Sequence, residues 1–174
     1  MSGIEPAFIS EPLRSEHDRA GFTCESEPLE RYLKQQANQD LRKDLSVTYV
    51  LVPTNARNRI AGYYTVSAES IPADDLPSEL VKKLRLPHYK TIPATLVGRL
   101  ARDLSYKGQG LGELLLMDAL KLAWKISEKI ASWAVVVDVK DEKARRFSLD
   151  FGFISFVDTP QRLYLPMKTV AQLF

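Results

Sequence analysis

A glycine-rich loop between a strand-like segment and a long amphipathic helix constrains the fold of this chain more than any other feature. Residues 94–104 read as a strand and lead directly into residues 107–112, where every second residue from Gly108 onward is glycine. Residues 111–132 follow with apolar side chains at helical spacing, which predicts a helix that packs through one face. This succession indicates a mixed α/β fold in which helices cross between strands.

The same loop is suited to binding an anion. Glycines let the backbone approach a ligand closely, several N–H groups converge on one point, and the helix N-terminus contributes about half a positive charge. Lys107 adds a full charge beside them. We therefore expect a pyrophosphate site, although a tight turn without a ligand explains the glycine spacing alone equally well.

Two common nucleotide-binding motifs fit this loop less well. A nucleoside-triphosphate loop ends in Lys followed by Ser or Thr, and no such pair follows Gly112. A dinucleotide-binding fingerprint needs an acidic residue about 20 residues further on, at the end of the next strand. Asp138 is the nearest acid of this kind and stands at the wrong distance.

The remaining pattern predicts one domain spanning residues 1–174, because this length fits a single core better than two. We expect helices at residues 27–41, 78–84 and 141–150, the last capped by Asp141 and ended by Gly152. Strands are expected at residues 47–52, 60–66, 134–139, 153–157 and 162–165.

Composition narrows the class of protein. The net charge of +2 is too small to indicate a nucleic-acid binder by itself, and the single cysteine, Cys24, points to a reducing compartment. No apolar run approaches the roughly 20 residues that span a bilayer, so we expect a cytoplasmic protein with no membrane contact. His17 and His88 show no metal-ligand spacing, which predicts surface positions for both and no bound metal.

Basic residues are nevertheless concentrated in one stretch. Between Val81 and Lys107 the only acid is Asp103. The basic residues there are Lys82, Lys83, Arg85, Lys90, Arg99, Arg102 and Lys107. A local positive surface attracts phosphates, but a solvated face with scattered charges is the alternative.

Two segments together resemble the signatures of GNAT acetyltransferases. In the central one, a basic residue or glutamine precedes Gly-x-Gly at the start of a long helix, and Lys107, Gly110 and Gly112 fill those positions. The C-terminal one is similar to residues 141–153, through Ala144 and Phe147. The resemblance implies the GNAT fold, a mixed central sheet with two splayed strands, flanked by helices.

Further segments look like the GNAT toxins of bacterial type II toxin–antitoxin modules. These are residues 22–33, residues 60–67, and Ile92-Pro93 followed by Arg99-Leu100-Ala101. Members of this family use acetyl-CoA to acetylate the α-amino group of aminoacyl-tRNA, which stops translation. The resemblance also implies a ribbon-helix-helix antitoxin as partner and a homodimer.

Site residues are assigned by this resemblance. Backbone groups of Leu100, Ala101 and Arg102 are expected along the pantetheine arm of acetyl-CoA. The residues expected at its pyrophosphate are Lys107, Gly108, Gln109, Gly110, Leu111 and Gly112, and Phe147 is expected to contact the cofactor as well. Arg85, Lys90 and Arg99 are the candidates for contact with the tRNA backbone.

One position departs from the family pattern. Family members place a tyrosine after the phenylalanine of the C-terminal signature, where it protonates the departing thiolate, and this chain has Ser148. Serine is a shorter and weaker acid, which leaves three alternatives. Ser148 acts through a water; Tyr63, Tyr64 or Tyr106 replaces it; or turnover is slow or absent. The competing functions are acetylation of a small amine or protein N-terminus, and a catalytically weakened protein that binds acetyl-CoA and a partner.

Overall fold

The computed structural model of the 174-residue chain describes Gly3, residues 6–86 and residues 91–174. Lys90 and His88, which the sequence analysis names, lie outside the described residues. The strands are β1 (Phe8–Pro12), β2 (Val47–Pro53), β3 (Gly62–Pro72), β4 (Thr91–Arg102), β5 (Ala134–Asp138), β6 (Ile154–Ser155) and β7 (Arg162–Pro166). The helices are α1 (Glu27–Arg31), α2 (Ala37–Arg42), α3 (Ser78–Lys83), α4 (Leu111–Ser127), α5 (Glu142–Phe151) and α6 (Met167–Ala171). A π-helical turn, Tyr32–Gln36, joins α1 to α2.

The strands form one mixed sheet in the order β1-β2-β3-β4-β5-β7-β6. β1 with β2, β2 with β3, β5 with β7 and β6 with β7 are antiparallel, whereas β4 and β5 are parallel. The parallel register pairs Ala94 with Ala134 and ends at Val97 with Val137. A parallel pair needs a crossover connection, and α4 lies in the one between β4 and β5. The predicted mixed α/β class is confirmed.

The chain divides into two compact units. The first contains Met1–Ser67 and Arg99–Ala119. Its core forms where apolar side chains of the α1–α2 segment pack against β2 and β3, among them Leu33, Val50 and Tyr63, all at most 1% exposed. α1 begins after Ser26, whose side chain accepts a hydrogen bond from the N–H of Leu29.

The second unit contains Ala68–Gly98 and Leu120–Phe174. The run from Ala134 to Val137 is buried throughout, as its apolar sequence predicts for a strand covered on both faces. α5 begins after Asp141, which accepts from the N–H of Ala144, and ends at Gly152 with φ +113°. Both predicted caps of this helix are confirmed. The prediction of a single domain for residues 1–174 stays a prediction.

Several boundaries differ from those predicted. β1 lies in the segment that the sequence analysis leaves irregular, because its strand character comes from pairing with β2 and not from its own alternation. β4 begins before Pro93, which cannot donate a hydrogen bond but accepts one from the N–H of Trp133. α4 ends at Ser127, short of the predicted residue 132.

The prediction of a surface position for His17 is wrong. This side chain is 5% exposed because both ring nitrogens have protein partners. Its Nδ1 accepts a hydrogen bond from the backbone N–H of Arg14, and its Nε2 lies 2.7 Å from Glu11 Oε1. A histidine satisfied in this way is a structural residue of the first unit.

Gly62 allows α4 to lie directly on β3, and this contact generates a prediction. A Cβ at Gly62 would stand 2.7 Å from Leu115 Cδ1 and 3.0 Å from the carbonyl oxygen of Ala101. Leu115 is fully buried and the other atom is backbone, so neither has free room to move. We expect Gly62→Ala to lower the free energy of unfolding by about 1–3 kcal/mol in urea denaturation.

Gly112→Ala is the matched control, because a Cβ there meets nothing within 4 Å and the residue lies inside α4. Its stability should be unchanged or higher by up to about 1 kcal/mol, since alanine favours helix over glycine. If Gly62→Ala were as stable as the unmodified chain, the close contact between α4 and β3 would be refuted.

Candidate functional site

The glycine loop, residues 107–112, has a backbone that only glycine adopts freely. Gly108 has φ +80° and Gly110 has φ +73°, both in the left-handed region, and no atom stands within 4 Å of the Cβ position of either. The loop is exposed from Lys107 to Gly110, whereas Leu111 is buried as the first residue of α4. The glycines therefore shape an open backbone turn and do not fill a packed corner.

Free N–H groups are concentrated where this loop enters α4. The first intrahelical bond runs from the N–H of Leu114 to the carbonyl of Gly110. Among the described residues, no backbone acceptor takes the N–H groups of Leu111, Gly112 or Glu113. Unpaired donors at the positive end of a helix make this position suited to an anionic group.

Asp103 anchors the start of the loop. Its carboxylate accepts hydrogen bonds from the backbone N–H of Thr23 at 3.0 Å and from that of Ser105 at 2.9 Å, and from the Ser105 hydroxyl. Burial acts to raise the pKa of this carboxyl, but these hydrogen bonds outweigh it and lower the pKa. Leu104 also donates its N–H to the Thr23 carbonyl. Asp103 therefore ties the end of β4 to the segment before α1.

The segment before α1, residues 22–25, brings the Glu25 carboxylate next to Arg102 and Lys107, the two cations predicted to bind phosphate. Glu25 Oε1 lies 3.2 Å from Arg102 Nη2 and 3.5 Å from Lys107 Nζ. The other terminal nitrogen of Arg102, Nη1, is buried and has no hydrogen-bond partner among the described residues. The guanidinium is thus held at one edge by Glu25 and retains unused donor capacity.

Neither Asp103 nor Glu25 appears among the sequence-predicted site residues. Asp103 carries a local signal, since Asp followed by Ser two residues later is typical of a turn in which the side chain accepts a backbone hydrogen bond. Glu25 carries none, because its partners lie far along the chain and meet it only through the docking of residues 22–25 on the end of β4.

The other predicted cofactor residues in this unit lie next to the loop in the chain. Leu100 is half-buried, and Ala101 is 5% exposed within the core that contains Tyr63. Gln109 is exposed and donates its N–H to the Tyr106 carbonyl at 3.3 Å. β4 therefore leads into the glycine turn and then α4, which is the order of elements that the sequence pattern predicts.

Ser148 and Phe147 lie on α5 in the second unit. Ser148 is 6% exposed, and its hydroxyl donates a hydrogen bond to the Ala144 carbonyl of the same helix at 3.0 Å. Phe147 is 38% exposed, with its ring 6.4 Å from that of Phe151. The Ser148 hydroxyl is thus engaged by the helix backbone, as serine commonly is inside helices.

The phenols named as alternatives to Ser148 lie in the first unit. Tyr63 donates to the Leu29 carbonyl, and Tyr64 donates to Asp118 Oδ2 at 2.6 Å. Burial raises the pKa of both hydroxyls well above the ordinary tyrosine value. Tyr106 lies beside the loop, with its ring 5.6 Å from Phe8 and 5.0 Å from the Arg59 guanidinium.

The candidate tRNA-contact residues differ in their surroundings. Arg85 is exposed and has φ 48° in the turn after α3. Arg99 is half-buried in β4, with its guanidinium carbon 3.6 Å from the centre of the Tyr32 ring. Lys90 is outside the described residues.

Within residues 6–86 and 91–174, no group of three or more His, Cys, Asp or Glu side chains is arranged to hold a metal ion. No helix in the same part of the chain is long and apolar enough to cross a membrane.

Comparison with known proteins identifies the family. No family model matches the chain. The "Probable toxin TacT" of Sinorhizobium fredii is 32% identical over 173 residues, which cover 95% of this chain and 94% of that protein. The chain belongs to the GNAT toxin family. A "tRNA-acetylating toxin" of Mycobacterium tuberculosis is 29% identical over 174 residues, covering 99% of this chain and 98% of that protein.

Solved structures of GNAT toxins have the same fold. A tyrosine-to-phenylalanine variant of KacT matches with a TM-score of 0.89 at 31% identity, over 97% of this chain and 100% of that one. AtaT in complex with acetyl-methionyl-tRNAfMet matches with a TM-score of 0.87 at 30% identity, over 96% and 99%. A tyrosine-to-phenylalanine variant of AtaT, bound to acetyl-CoA and the C-terminus of the antitoxin AtaR, has a TM-score of 0.80 at 28% identity, over 96% and 97%. The predicted GNAT fold is confirmed.

The contact of Glu25 with Arg102 and Lys107 yields a prediction about ligand affinity. An anion that binds these cations must compete with the Glu25 carboxylate. We expect Glu25→Gln to tighten CoA binding by about 2- to 5-fold, the scale of one partly exposed ion pair, in isothermal titration calorimetry.

Glu27→Gln provides the control, since it removes the same charge from an exposed residue whose partner is Arg31. Its CoA affinity should stay within about two-fold of the unmodified chain. Weaker CoA binding by Glu25→Gln would show instead that the carboxylate holds the two cations in place for the ligand.

Proposed function

We infer that this chain is an acetyl-CoA-dependent N-acetyltransferase toxin that acetylates the α-amino group of aminoacyl-tRNA and so blocks translation. The observation that carries this proposal is the open glycine loop at the start of α4, with its unpaired N–H groups beside Lys107 and Arg102. Its support is the 32% identity to a TacT toxin and the likeness to AtaT solved with acetyl-methionyl-tRNAfMet. We assign the activity to one domain, residues 1–174.

The residues around the loop fit the pyrophosphate of acetyl-CoA. Lys107 and Arg102 supply positive charge, and the N–H groups of Leu111 and Gly112 supply donors that have no backbone acceptor among the described residues. The loop lacks a Cβ at Gly108 and Gly110, and the space at both Cβ positions is open, so a ligand can approach the backbone closely there. Backbone groups of Leu100 and Ala101 extend this path along β4 toward the pantetheine arm, and Phe147 completes the proposed cofactor set.

The chemistry demands little from a general base. An aminoacyl amine has a pKa near that of an α-amino group, about 8, so a useful fraction is neutral at physiological pH. The neutral amine attacks the thioester carbonyl of acetyl-CoA, the acetyl group passes to nitrogen, which loses one proton, and the CoA sulfur leaves as a thiolate that takes up one proton. Binding both substrates in one site supplies much of the rate.

Protonation of the thiolate is the step that this chain is poorly equipped to assist. Ser148 is buried, and its hydroxyl donates a hydrogen bond to the Ala144 carbonyl. Its O–H group is therefore not free to protonate the thiolate. Tyr63 and Tyr64 donate to protein acceptors and hold their protons strongly. We propose that neither Ser148 nor these two phenols protonates the thiolate, so that its proton comes from solvent or from Tyr106 beside the loop, and that turnover is slow.

This geometry also favours a second candidate function. A protein that binds acetyl-CoA through the loop but transfers acetyl slowly would act mainly by holding a partner. AtaT has been solved with the antitoxin AtaR, and KacTA with DNA. We propose an antitoxin of the ribbon-helix-helix class, a homodimeric toxin, and action in the cytoplasm, where charged tRNA is found.

The first test incubates the purified chain with acetyl-CoA and a total pool of charged tRNA. We expect aminoacyl-adenosines released from the tRNA to gain the mass of one acetyl group in mass spectrometry. Gly110→Glu should yield no product, because glutamate at φ +73° is strained and places a negative charge at the pyrophosphate site. The circular dichroism spectrum establishes that this variant is folded.

Absence of product from the unmodified chain, with acetyl-CoA binding measured by calorimetry, would refute tRNA acetylation and favour the second function. Product from both proteins would refute the role of the loop.

A separate prediction concerns Ser148. Ser148→Tyr restores the acid that the family places there, so we expect kcat to rise by at least about 10-fold, within the range of general acid catalysis. Ser148→Ala should leave kcat within about two-fold, because the hydroxyl is used by the helix and not by the reaction. Both variants are compared in steady-state kinetics on the tRNA that responds best.

A marked loss of kcat in Ser148→Ala would contradict this interpretation and assign Ser148 a direct or water-mediated role. No gain in Ser148→Tyr, with the fold intact, would show that thiolate protonation does not limit turnover.

A further inference from the structure

Arg99 differs from every other half-buried arginine in the described part of the chain. The side chains of Arg19, Arg102, Arg145 and Arg162 all donate hydrogen bonds to protein acceptors. The Arg99 guanidinium contacts the face of Tyr32 and has no hydrogen-bond or ion-pair partner among the described residues. None of the Arg99 side-chain nitrogens is both buried and unpaired, so these nitrogens are accessible to solvent.

Tyr32 is a rigid support for this guanidinium. Its ring is 7% exposed, and the Tyr63 ring lies nearly parallel to it at 6.4 Å. Its hydroxyl donates to Asp40 Oδ2 at 2.7 Å and lies 3.2 Å from Ser46 Oγ. A phenol fixed at both its ring and its hydroxyl has one orientation, and a guanidinium stacked on it has its plane set accordingly.

Asp40 completes this arrangement. It is 8% exposed, and its second oxygen accepts from the Gln36 side chain at 2.9 Å. The two hydrogen bonds that it accepts lie across the π-helical turn, Tyr32–Gln36, an irregularity that is frequent at functional sites. The charge of Asp40 attracts Arg99 without binding its N–H groups, which leaves the donors of the guanidinium free.

We propose that Arg99 is an oriented anion-binding group that contacts a phosphodiester of the tRNA substrate, and that Tyr32 is the residue that positions it. A planar guanidinium whose face is occupied and whose edge is free is suited to bidentate contact with phosphate oxygens. The identification of the phosphate as part of tRNA rests on the proposed function. Arg85, by contrast, is exposed, and no side chain among the described residues stacks on it or bonds to it.

The test separates binding from chemistry. Affinity for uncharged tRNA is measured by fluorescence anisotropy over a series of KCl concentrations, and acetyl-CoA affinity is measured by calorimetry. We expect Arg99→Gln and Tyr32→Leu each to weaken tRNA binding by about 5- to 20-fold. Arg99→Gln should also reduce the slope of log affinity against log salt by about 0.7, the value for one phosphate contact on a single strand. Acetyl-CoA affinity should be unchanged.

Two substitutions distinguish orientation from charge. Arg99→Lys retains the charge but not the stacked planar fork, so we expect it to bind tRNA almost as weakly as Arg99→Gln. Tyr32→Phe retains the ring, so its tRNA affinity should fall by no more than about two- to three-fold, although it leaves Asp40 with one fewer hydrogen bond. Thermal unfolding establishes which variants are folded at the assay temperature.

Arg42→Gln is the matched control, since it removes an exposed arginine of α2 that has no partner among the described residues. An equal loss of tRNA affinity in Arg42→Gln would overturn the proposal by showing a general effect of charge. Unchanged tRNA affinity in Arg99→Gln would overturn it as well and leave Arg99 a structural counter-charge to Asp40.

The kinetic arm identifies which proposal has failed. If the unmodified chain acetylates tRNA, Arg99→Gln should raise KM for tRNA with little change in kcat. If it acetylates none, the proposed function fails, and the binding arm still decides the role of Arg99. A fall in kcat at unchanged KM would overturn a role in phosphate binding.

Discussion

Asp103 is a buried carboxylate at the junction between β4 and the glycine loop, and the arrangement of the surrounding segments depends on it. It accepts from the N–H of Thr23 and from Ser105, so one side chain orients both the loop and the segment that contains Glu25. Those hydrogen bonds offset the free-energy cost of burying a charge. A buried carboxylate without such partners would destabilise the fold. The glycine turn at the start of α4 is therefore held by a polar interaction placed just before the glycines.

The two arginines at the end of β4 illustrate how position decides function. Arg99 and Arg102 are three residues apart on a strand, so their side chains point to opposite faces of the sheet. Arg102 meets Glu25 and lies beside Lys107, whereas Arg99 meets the ring of Tyr32. The same residue type thus contacts a carboxylate beside the glycine loop on one face, and on the other stacks on an aromatic ring with no hydrogen-bond partner among the described residues.

Ser148 is the position at which the fold and the family pattern diverge. α5 forms with both of its predicted caps, and the residue occupies its expected place on the helix, yet its hydroxyl is taken by the Ala144 carbonyl. A tyrosine at the same backbone position would extend well beyond that carbonyl, because its hydroxyl lies at the far end of a ring. The helix that carries this position is therefore formed as predicted, and the departure from the family pattern is confined to one side chain.

Local sequence patterns were enough to predict many of the secondary-structure elements of this protein. The start of α4, the apolar run before Asp138, the caps of α5 and the glycine loop were all predictable, because each depends on neighbours in the sequence. The end of α4 was not, since the apolar spacing continues to residue 132 and the helix ends at Ser127. Four features could not be predicted in this way: β1, the burial of His17, the pairing of Glu25 with Arg102, and the stacking of Arg99 on Tyr32. Each of those joins residues that are separated along the chain or that have no periodic signal, so only tertiary packing brings them together. The sequence alone therefore determined that a glycine turn leads into α4, and the tertiary structure decided which charges surround that turn and which half-buried arginine has no hydrogen-bond partner among the described residues.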